Sequence, residues 1–340
     1  SPKTMRLKQI RYILLWNLFI FAHFSVIAQQ EVQFTQYIFN TLSVNPAYAG
    51  YKEQWFVQLA LRDQWSGLDG APRTGQFSVD GILDPDTRNM GVGLQVTSDK
   101  LGPQTSTSVY LNYAYRIRLN ASDTKRLGFG LGAGLAQHGL NGSEFSPTDP
   151  DDAYLLYGNE HVWKWNMRLG AYYYSPRWYV GASLMDVLDR KESYVFNSDD
   201  DYYNIFHRKH FYFIGGAIFD MGASFKLRPS FLLKEDFKGP SSLDLNAMMI
   251  YEEKFWFGLG YRTGVEVWDK TYNDFSAKDL STTNSISGIV QFYLSERFRI
   301  GYSYDYMLND MENVQNGTHE ITLGYTFQIR KKRLLSPRFF

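Results

Sequence analysis

The sequence predicts an all-β protein, a transmembrane antiparallel β-barrel of about 14 strands with short periplasmic turns and long extracellular loops. The clearest evidence is residues 127–136, in which Leu, Phe and Ala alternate with glycines. Strand side chains alternate between two faces, so this strand has one apolar face and one nearly bare face. A soluble sandwich would make the second face polar. A membrane barrel turns the apolar face to lipid and tolerates a bare lumen face where something packs inside.

The composition supports a barrel. Of 340 residues, 17% are aromatic, with 25 Tyr and 25 Phe, and 28 are Gly, which suits strands, turns and interfacial aromatic girdles. The formal net charge is zero and points to no nucleic-acid partner. The absence of cysteine excludes disulfides, thiolate zinc sites and thiol nucleophiles. A mean hydropathy of −0.34 argues against a helical membrane protein, but not against strands that are apolar on one side only.

Residues 1–28 predict a secretory signal peptide. Basic residues from Lys3 to Arg11 precede an apolar run from Tyr12 to Ile27, with cleavage expected between Ala28 and Gln29. A single membrane anchor is the alternative, but the run is short and interrupted by polar residues. Export without a later run long enough for a spanning helix indicates an integral protein of a Gram-negative outer membrane.

Residues 29–53 predict a short compact segment before the first strand. It contains Gln-Phe-Thr-Gln-Tyr-Ile-Phe-Asn at 33–40 and Asn-Pro-Ala-Tyr-Ala-Gly at 45–50, where Asn-Pro and Ala-Gly indicate turns. Because one strand face is bare and the lumen is polar, we expect this segment to fold inward or to cap the periplasmic mouth. The candidate plug residues are Phe34, Tyr37, Phe39, Asn45, Pro46 and Tyr48.

Residues 54–330 predict the barrel itself. The alternating segments are 54–62, 74–82, 89–98, 105–118, 125–138, 163–174, 177–185, 210–220, 225–234, 242–251, 255–263, 285–294, 298–307 and 318–330. Tight connections alternate with longer ones, and an even count leaves both termini in the periplasm. Residues 331–340 form a basic C-terminal tail, interpreted either as a periplasmic docking patch or as a solubilising end.

Charged residues fall on the predicted lumen face. They are Arg62, Asp80, Arg168, Lys226, Arg228, Asp244, Arg262, Arg299 and Asp305. Because an unpaired buried charge is expensive, three arrangements are open: these groups line a water-filled channel, clasp a plug, or pair with one another to brace the barrel.

Several motifs resemble the PorP/SprF family of Bacteroidota outer-membrane proteins. They are the two motifs at 33–40 and 45–50, Arg-Asp-Gln-Trp-Ser-Gly-Leu-Asp-Gly-Ala-Pro-Arg-Thr at 62–74, and the closing Ser-Pro-Arg-Phe-Phe at 336–340. The resemblance implies a component or accessory of type IX protein secretion and gliding motility, which helps to export or attach secreted adhesins and has no enzymatic activity. The implied partners are proteins of that machinery in the periplasm and outer membrane, a secreted surface adhesin and the lipid bilayer.

The first outer loop supplies the candidate partner-contact residues Trp65, Gly70, Ala71 and Pro72. Turn chemistry and an exposed indole suit a contact surface. A loop that merely folds onto the barrel rim would use the same residues, so that alternative stays open. We assign no catalytic residue, cofactor or metal ligand.

Two other functions remain as alternatives. One is a plugged channel or transporter for hydrophobic small molecules, because a barrel with an N-terminal plug serves both functions. The other is a hydrolase at the outer rim, where His138, His161, His207 and His319 lie near acidic residues. No serine sits in a nucleophile motif, and the acidic runs 149–152 and 199–201 lack calcium-loop spacing, so the sequence favours neither catalysis nor a metal site.

Overall fold

The computed structural model describes residues 33–144, 159–188, 190–192, 205–207, 209–235, 237, 241–268, 271–272, 275–276, 284–309 and 314–327. The predicted signal peptide with Ala28 and Gln29, both acidic runs and the basic tail lie outside these residues.

Fourteen antiparallel strands form one closed barrel. They are β1 Trp55–Asp63, β2 Arg73–Ile82, β3 Met90–Leu101, β4 Gln104–Arg118, β5 Arg126–Asn141, β6 Asn159–Tyr174, β7 Trp178–Met185, β8 His210–Ala217, β9 Phe225–Glu235, β10 Ser241–Tyr251, β11 Phe255–Val265, β12 Ser285–Tyr293, β13 Phe298–Met307 and β14 Thr318–Phe327. A two-residue strand, Phe219–Asp220, continues β8 after Ile218 and pairs with the same neighbour, β9. Each strand pairs with the next, and β1 pairs with β14 from Trp55↔Phe327 to Asp63↔His319, which closes the barrel.

The predicted fold class is confirmed, and every predicted strand is present. The main differences lie at the outer ends, where the strands run longer than the alternation indicates. β5 continues to Asn141, and β6 begins at Asn159. The predicted loop between residues 98 and 105 is instead a ladder that continues to Leu101↔Gln104. These extensions mix polar residues with single apolar ones and do not alternate regularly, so hydrophobic periodicity does not report them.

The two faces follow the predicted alternation. On β4, Leu111 is 67% exposed on the lipid side. Asn112 and Arg116 on the opposite side are buried. The outer surface of the barrel is therefore apolar, and the lumen is polar, as the lipid bilayer requires.

Aromatic side chains mark two levels on the lipid face. Trp163 and Trp165 are exposed near the outer end of β6. Tyr173 and Trp178 pack together at the opposite end, with ring centroids 4.6 Å apart. Along a tilted strand, the separation between Trp163 and Tyr173 corresponds to roughly 25 Å, the height of the apolar band of an outer-membrane barrel.

The connections are asymmetric. The turns after β2, β4, β6, β8, β10 and β12 are short, and most of the opposite connections are long. Two of the long connections contain small ribbons, Arg190–Glu192 with Ile205–His207 and Thr271–Tyr272 with Phe275–Ser276. Among the described residues, no helix is long and apolar enough to cross a membrane.

Candidate functional site

The lumen contains residues 33–53, here called the inner segment. It forms three short 3-10 turns, Thr35–Phe39, Thr41–Ser43 and Pro46–Tyr48. Its hydrogen bonds reach strands on opposite sides of the barrel, including β2, β4, β7, β10 and β14. Because the barrel is closed, a segment that contacts strands all around it lies inside.

The inner segment descends through the lumen towards the periplasmic end. Thr35 contacts Asp305 and Glu320, which lie near the outer ends of β13 and β14. Glu53 accepts from Arg88 in the periplasmic turn between β2 and β3, at a distance of 3.4 Å. The chain enters β1 at the periplasmic end, as an even strand count predicts. Before that, it runs the height of the lumen, because Thr35 lies near the outer end.

Charged groups hold the outer half of the inner segment, which we define as residues 33–40. The Glu320 carboxylate accepts the backbone N–H groups of Thr35 and Gln36, at 2.8 and 2.9 Å. Arg62 pairs with Glu320 at 2.8 Å and with Asp305 at 2.9 Å, and it also donates to the Thr35 hydroxyl at 2.9 Å. All these side chains are buried, so each charge has its partners inside the lumen.

Arginines also bind the carbonyl groups of the outer half. Arg299 donates to the Phe39 carbonyl at 2.8 Å, and Arg228 donates to the Ile38 carbonyl at a longer 3.4 Å. The Phe39 ring packs edge-on against Trp256, with centroids 5.5 Å apart.

Side chains of the outer half make further hydrogen bonds to the wall. The Gln36 amide accepts from the Thr322 hydroxyl and donates to the Glu320 carbonyl, at 2.8 and 3.0 Å. The Tyr37 hydroxyl accepts from Asn246 at 2.9 Å. Both the backbone and the side chains of this half are therefore bonded to the barrel.

Local sequence explains the turn in the inner half, defined as residues 45–53. Asn45 caps the turn Pro46–Tyr48, because its side chain accepts from the Ala47 N–H at 2.9 Å and Pro46 occupies the first position of the turn. The Asn45 amide also donates to the carbonyls of Ala171 and Ala182, at 3.0 and 3.3 Å. One asparagine thus shapes the segment and joins it to β6 and β7.

Glycines on the barrel wall make room for this turn. A Cβ on Gly130 of β5 would overlap the backbone of Ala47, and one on Gly170 of β6 would overlap the Asn45 side chain. Gly128, next on the same face of β5, also lies against the Ala47 carbonyl. The bare face of β5 is therefore a close-approach surface at Gly128 and Gly130, whereas Gly132 and Gly134 lie against barrel side chains and backbone.

An aromatic cluster fills the space beside the glycines. Tyr48 and Tyr51 of the inner segment stack with centroids 4.8 Å apart. Tyr172 packs edge-on against both, and Tyr51 also meets Tyr174 edge-on at 4.8 Å. These rings are buried, so the inner half is held mainly by shape and apolar packing.

The inner half ends in polar contacts. The Gly50 N–H donates to Asp80 at 2.9 Å, and Arg116 donates to the Ala49 carbonyl at 2.7 Å. Gly50 has a φ of +70°, and a Cβ there would crowd the backbone of β2 and β3. Glycine is thus required both by conformation and by space.

An ion-pair cluster lies in the periplasmic turns below the segment. Arg126 donates two bonds to Asp123, both at 2.6 Å, and Arg88 pairs with Asp123 at 2.9 Å and also with Glu53. The hydrogen bond from Arg126 holds the pKa of the Asp123 carboxyl below its usual value. This cluster ties two turns of the barrel to the last residue of the inner segment.

Most of the predicted lumen charges have one of two roles. Arg62, Asp80, Arg228, Arg299 and Asp305 contact the inner segment. Another group braces the wall, since Asp244 pairs with Arg262 at 2.7 Å and with Lys234 at 3.0 Å. Lys226 lies instead at the periplasmic rim, where it pairs with Glu253.

Sequence reasoning missed two contributions to this site. Glu320 alternates with the lipid-facing Ile321, so period-two alternation assigns it to the lumen, but no local pattern indicates that it binds residues 35 and 36. Gly170 falls on the lumen face with Arg168, but a single glycine in an otherwise ordinary strand does not indicate that another part of the chain packs against it.

The first outer loop folds onto the rim. The Trp65 N–H donates to the Thr318 hydroxyl at 3.1 Å, and Ser66 exchanges backbone bonds with Gly317 and Asn316 at 2.8 and 2.7 Å. The Gly70 carbonyl accepts from the Gly102 N–H at 2.8 Å. Trp65 is half-buried, as are Ala71 and Pro72, while Gly70 is exposed.

Among the described residues, the rim histidines do not gather into a metal site. His319 bonds through Nδ1 to the Tyr302 hydroxyl at 2.8 Å, and His161 is exposed. Among those residues, no group of three His, Asp or Glu side chains could hold a metal ion.

Comparison with known proteins identifies the family. The family model described as type IX secretion system membrane protein PorP/SprF matches residues 26–325. The chain belongs to the PorP/SprF family. This PorP/SprF protein is an integral outer-membrane component of type IX secretion, and its family membership indicates association with that machinery.

Solved structures add information on the fold. No curated protein matches the chain. The toluene transporter TbuX of Ralstonia pickettii is similar with a TM-score of 0.51 and 14% identity, covering 83% of this chain and 91% of the transporter. The CymD monoaromatic hydrocarbon channel has a TM-score of 0.52 and 12% identity, covering 88% of this chain and 94% of the channel. At such identities the likeness concerns the barrel fold.

Proposed function

We propose that this PorP/SprF barrel is a closed scaffold that helps to export secreted adhesins or to hold them at the cell surface, with the inner segment as its plug. The strongest support is that the inner segment contacts the barrel along the lumen, from Glu320 near the outer end to Arg88 in a periplasmic turn. A lumen bonded along this length resists opening, so the outer and periplasmic surfaces become the sites of function.

In this proposal, the first outer loop contacts the adhesin. Trp65, Gly70, Ala71 and Pro72 lie in a loop whose backbone is fixed to the rim by hydrogen bonds. A fixed loop loses little conformational entropy when a partner binds, which favours affinity. The half-buried indole of Trp65 is the natural anchor, because tryptophan contributes strongly at interfaces.

The periplasmic face would contact the secretion machinery. Its turns are held in place by the cluster around Asp123 and by the Lys226–Glu253 pair. β14 ends at this same face with Phe327, and the basic residues that follow in the sequence would add positive charge to it.

Proteomics of a strain that lacks the gene tests the proposal. We expect mass spectrometry of the surface and secreted proteins to detect loss of many exported proteins if the role is general, or of one large adhesin if the role is dedicated. An unchanged set of exported proteins would overturn the proposal.

Complementation of that strain tests the loop. A Trp65→Ala variant should restore less export than the wild-type gene, while Trp178→Ala, which removes an indole from the lipid face, should restore it fully. Equal rescue by both variants, at equal barrel levels, would remove the loop from the proposal.

Bilayer conductance separates the scaffold from the channel for hydrophobic small molecules. The charged and hydrogen-bonded contacts inside the lumen favour a closed barrel, so purified protein should give no stable single-channel steps, and cells should gain no uptake of labelled fatty acid from it. Steady conductance or saturable uptake would instead favour the channel.

A further inference from the structure

The barrel binds the inner segment through backbone groups as well as through side chains. Barrel side chains contact seven N–H and carbonyl groups of the segment. The N–H groups belong to Thr35, Gln36 and Gly50, and they donate to Glu320 and Asp80. The carbonyls belong to Ile38, Phe39, Val44 and Ala49, and they accept from Arg228, Arg299, Ser183 and Arg116.

Backbone groups are common to every peptide. A buried carboxylate or guanidinium needs hydrogen-bond partners, and a peptide supplies oriented N–H and carbonyl dipoles whatever its side chains are. Charge-assisted bonds of this kind are among the stronger hydrogen bonds in proteins. The lumen wall therefore has the chemistry of a peptide-binding site, and the inner segment is the peptide that occupies it.

The two halves of the segment differ in how replaceable they are. The inner half fits a surface cleared by Gly130 and Gly170, which accepts only a backbone that follows the same path. The outer half is bound at its start by Glu320 and Arg62, which lie near the outer ends of β14 and β1. Arg299 binds the other end of this half from near the periplasmic end of β13. A peptide that arrives from the cell surface would meet the contacts of Glu320 and Arg62 first.

We propose that the lumen wall around residues 33–40 is a binding site for a short peptide segment of an exported protein, folded like the turn Thr35–Phe39, which residues 33–40 of this chain occupy when no such protein is bound. This inference rests on the proposed function, since that function brings exported chains to the outer mouth. The inner half stays in place during the exchange, so residues 33–40 remain tethered and rebind when the cargo leaves.

A binding experiment with purified full-length protein in detergent micelles tests the proposal without any secretion step. The probe is a fluorescent octapeptide with the sequence of residues 33–40, Gln-Phe-Thr-Gln-Tyr-Ile-Phe-Asn, and binding is measured by anisotropy. The matched control carries N-methyl groups on the two amides that correspond to Thr35 and Gln36. It keeps every side chain but lacks the N–H groups that Glu320 accepts.

Two protein variants complete the design. The double variant Thr35→Ala, Gln36→Ala weakens the occupant and leaves the wall intact, so the octapeptide should bind at least about tenfold more tightly than to wild type. Glu320→Gln changes the wall. When it is added to the double variant, the octapeptide should bind about tenfold more weakly than to the double variant alone. The N-methylated peptide should bind the double variant at least about tenfold more weakly than the octapeptide.

The contrary results are equally definite. Equal binding of the octapeptide and its N-methylated form, or equal binding to all proteins, would reveal adsorption to apolar surface and overturn the proposal. Absence of binding to the double variant, with the barrel shown to be folded by its heat-dependent gel mobility, would overturn it too. Loss of exported proteins in the gene-deletion strain would still support the proposed function in that case, so the two failures are distinguishable.

Discussion

The outer and inner halves of the inner segment are held to the same barrel by different interactions. In the outer half, Glu320, Arg62 and Asp305 supply buried charges, which pair with one another and bond the backbone and the hydroxyl of Thr35. In the inner half, Gly130 and Gly170 supply space, and tyrosine rings fill what remains. We therefore expect the charged contacts to accept a different peptide backbone, and the steric fit to accept only this one.

The largest effect is expected from Arg62→Met in the outer half. This change leaves the buried carboxylates of Asp305 and Glu320 without their cation, which should lower the free energy of unfolding by about 3–5 kcal/mol. The matched control is Arg73→Met, because Arg73 pairs with Asp63 while 79% exposed and should lose at most about 1 kcal/mol. Urea unfolding in micelles, followed by tryptophan fluorescence, measures both. Similar losses for the two variants would contradict the role given to the buried charges.

Gly130→Val tests the steric fit of the inner half. Its side chain would overlap the backbone of Ala47, and overpacking of this kind costs about 1–3 kcal/mol. Gly288→Val is the control, because a Cβ at Gly288 of β12 meets no atom within 4 Å. The comparison uses the same unfolding measurement. Equal stability of the two glycine variants would contradict the steric role given to Gly130.

Cysteine labelling measures whether the inner segment is released when the space at Gly130 is filled. The chain has no native cysteine, so a single Thr41→Cys in the middle of the segment reports its release to a soluble maleimide. Thr41 is buried, and we expect faster labelling when Gly130→Val is added than when Gly288→Val is added. Equal rates would indicate that the segment does not depend on the glycine surface.

A smaller effect is expected at Asn45. The Asn45→Ala variant loses the cap on Ala47 and both bonds to the wall, which should cost about 1–2 kcal/mol. The Asn45→Asp variant keeps the acceptor for Ala47 but loses the two donors. If the wall bonds matter more than the cap, Asp should be no better than Ala, and full rescue by Asp would show that the cap dominates.

The smallest effect is expected at Asp123, below the inner half. Its pKa is lowered in the folded protein by Arg126, so its carboxylate stabilises the fold above the unfolded pKa of about 3.9, and this contribution is lost as the pH falls through the lowered value. Asp123→Asn should cost up to about 1 kcal/mol at neutral pH. Unfolding curves of the two proteins should converge in acid. A constant difference at every pH would exclude the carboxylate as the cause.

Much of the barrel could be predicted because strand periodicity is a local property. Leu111 and its neighbours alternate between lipid and lumen in a way that needs no tertiary information. The partners of the lumen charges could not be predicted, since Arg62 and Glu320 are far apart in sequence and meet only where β1 closes against β14. The same holds for Asn45, whose cap on Ala47 is local but whose bonds to Ala171 and Ala182 are not.

By itself, the sequence determined the fold class, the strand order, the faces and the motifs of the PorP/SprF family, because each of these depends on residues close together in the chain. Only the tertiary structure decided that residues 33–53 run through the lumen from the outer end to the periplasmic turns. That path depends on which barrel groups lie across the lumen from one another. Closing a sheet brings distant charges and glycines to one place, and no local pattern records that geometry.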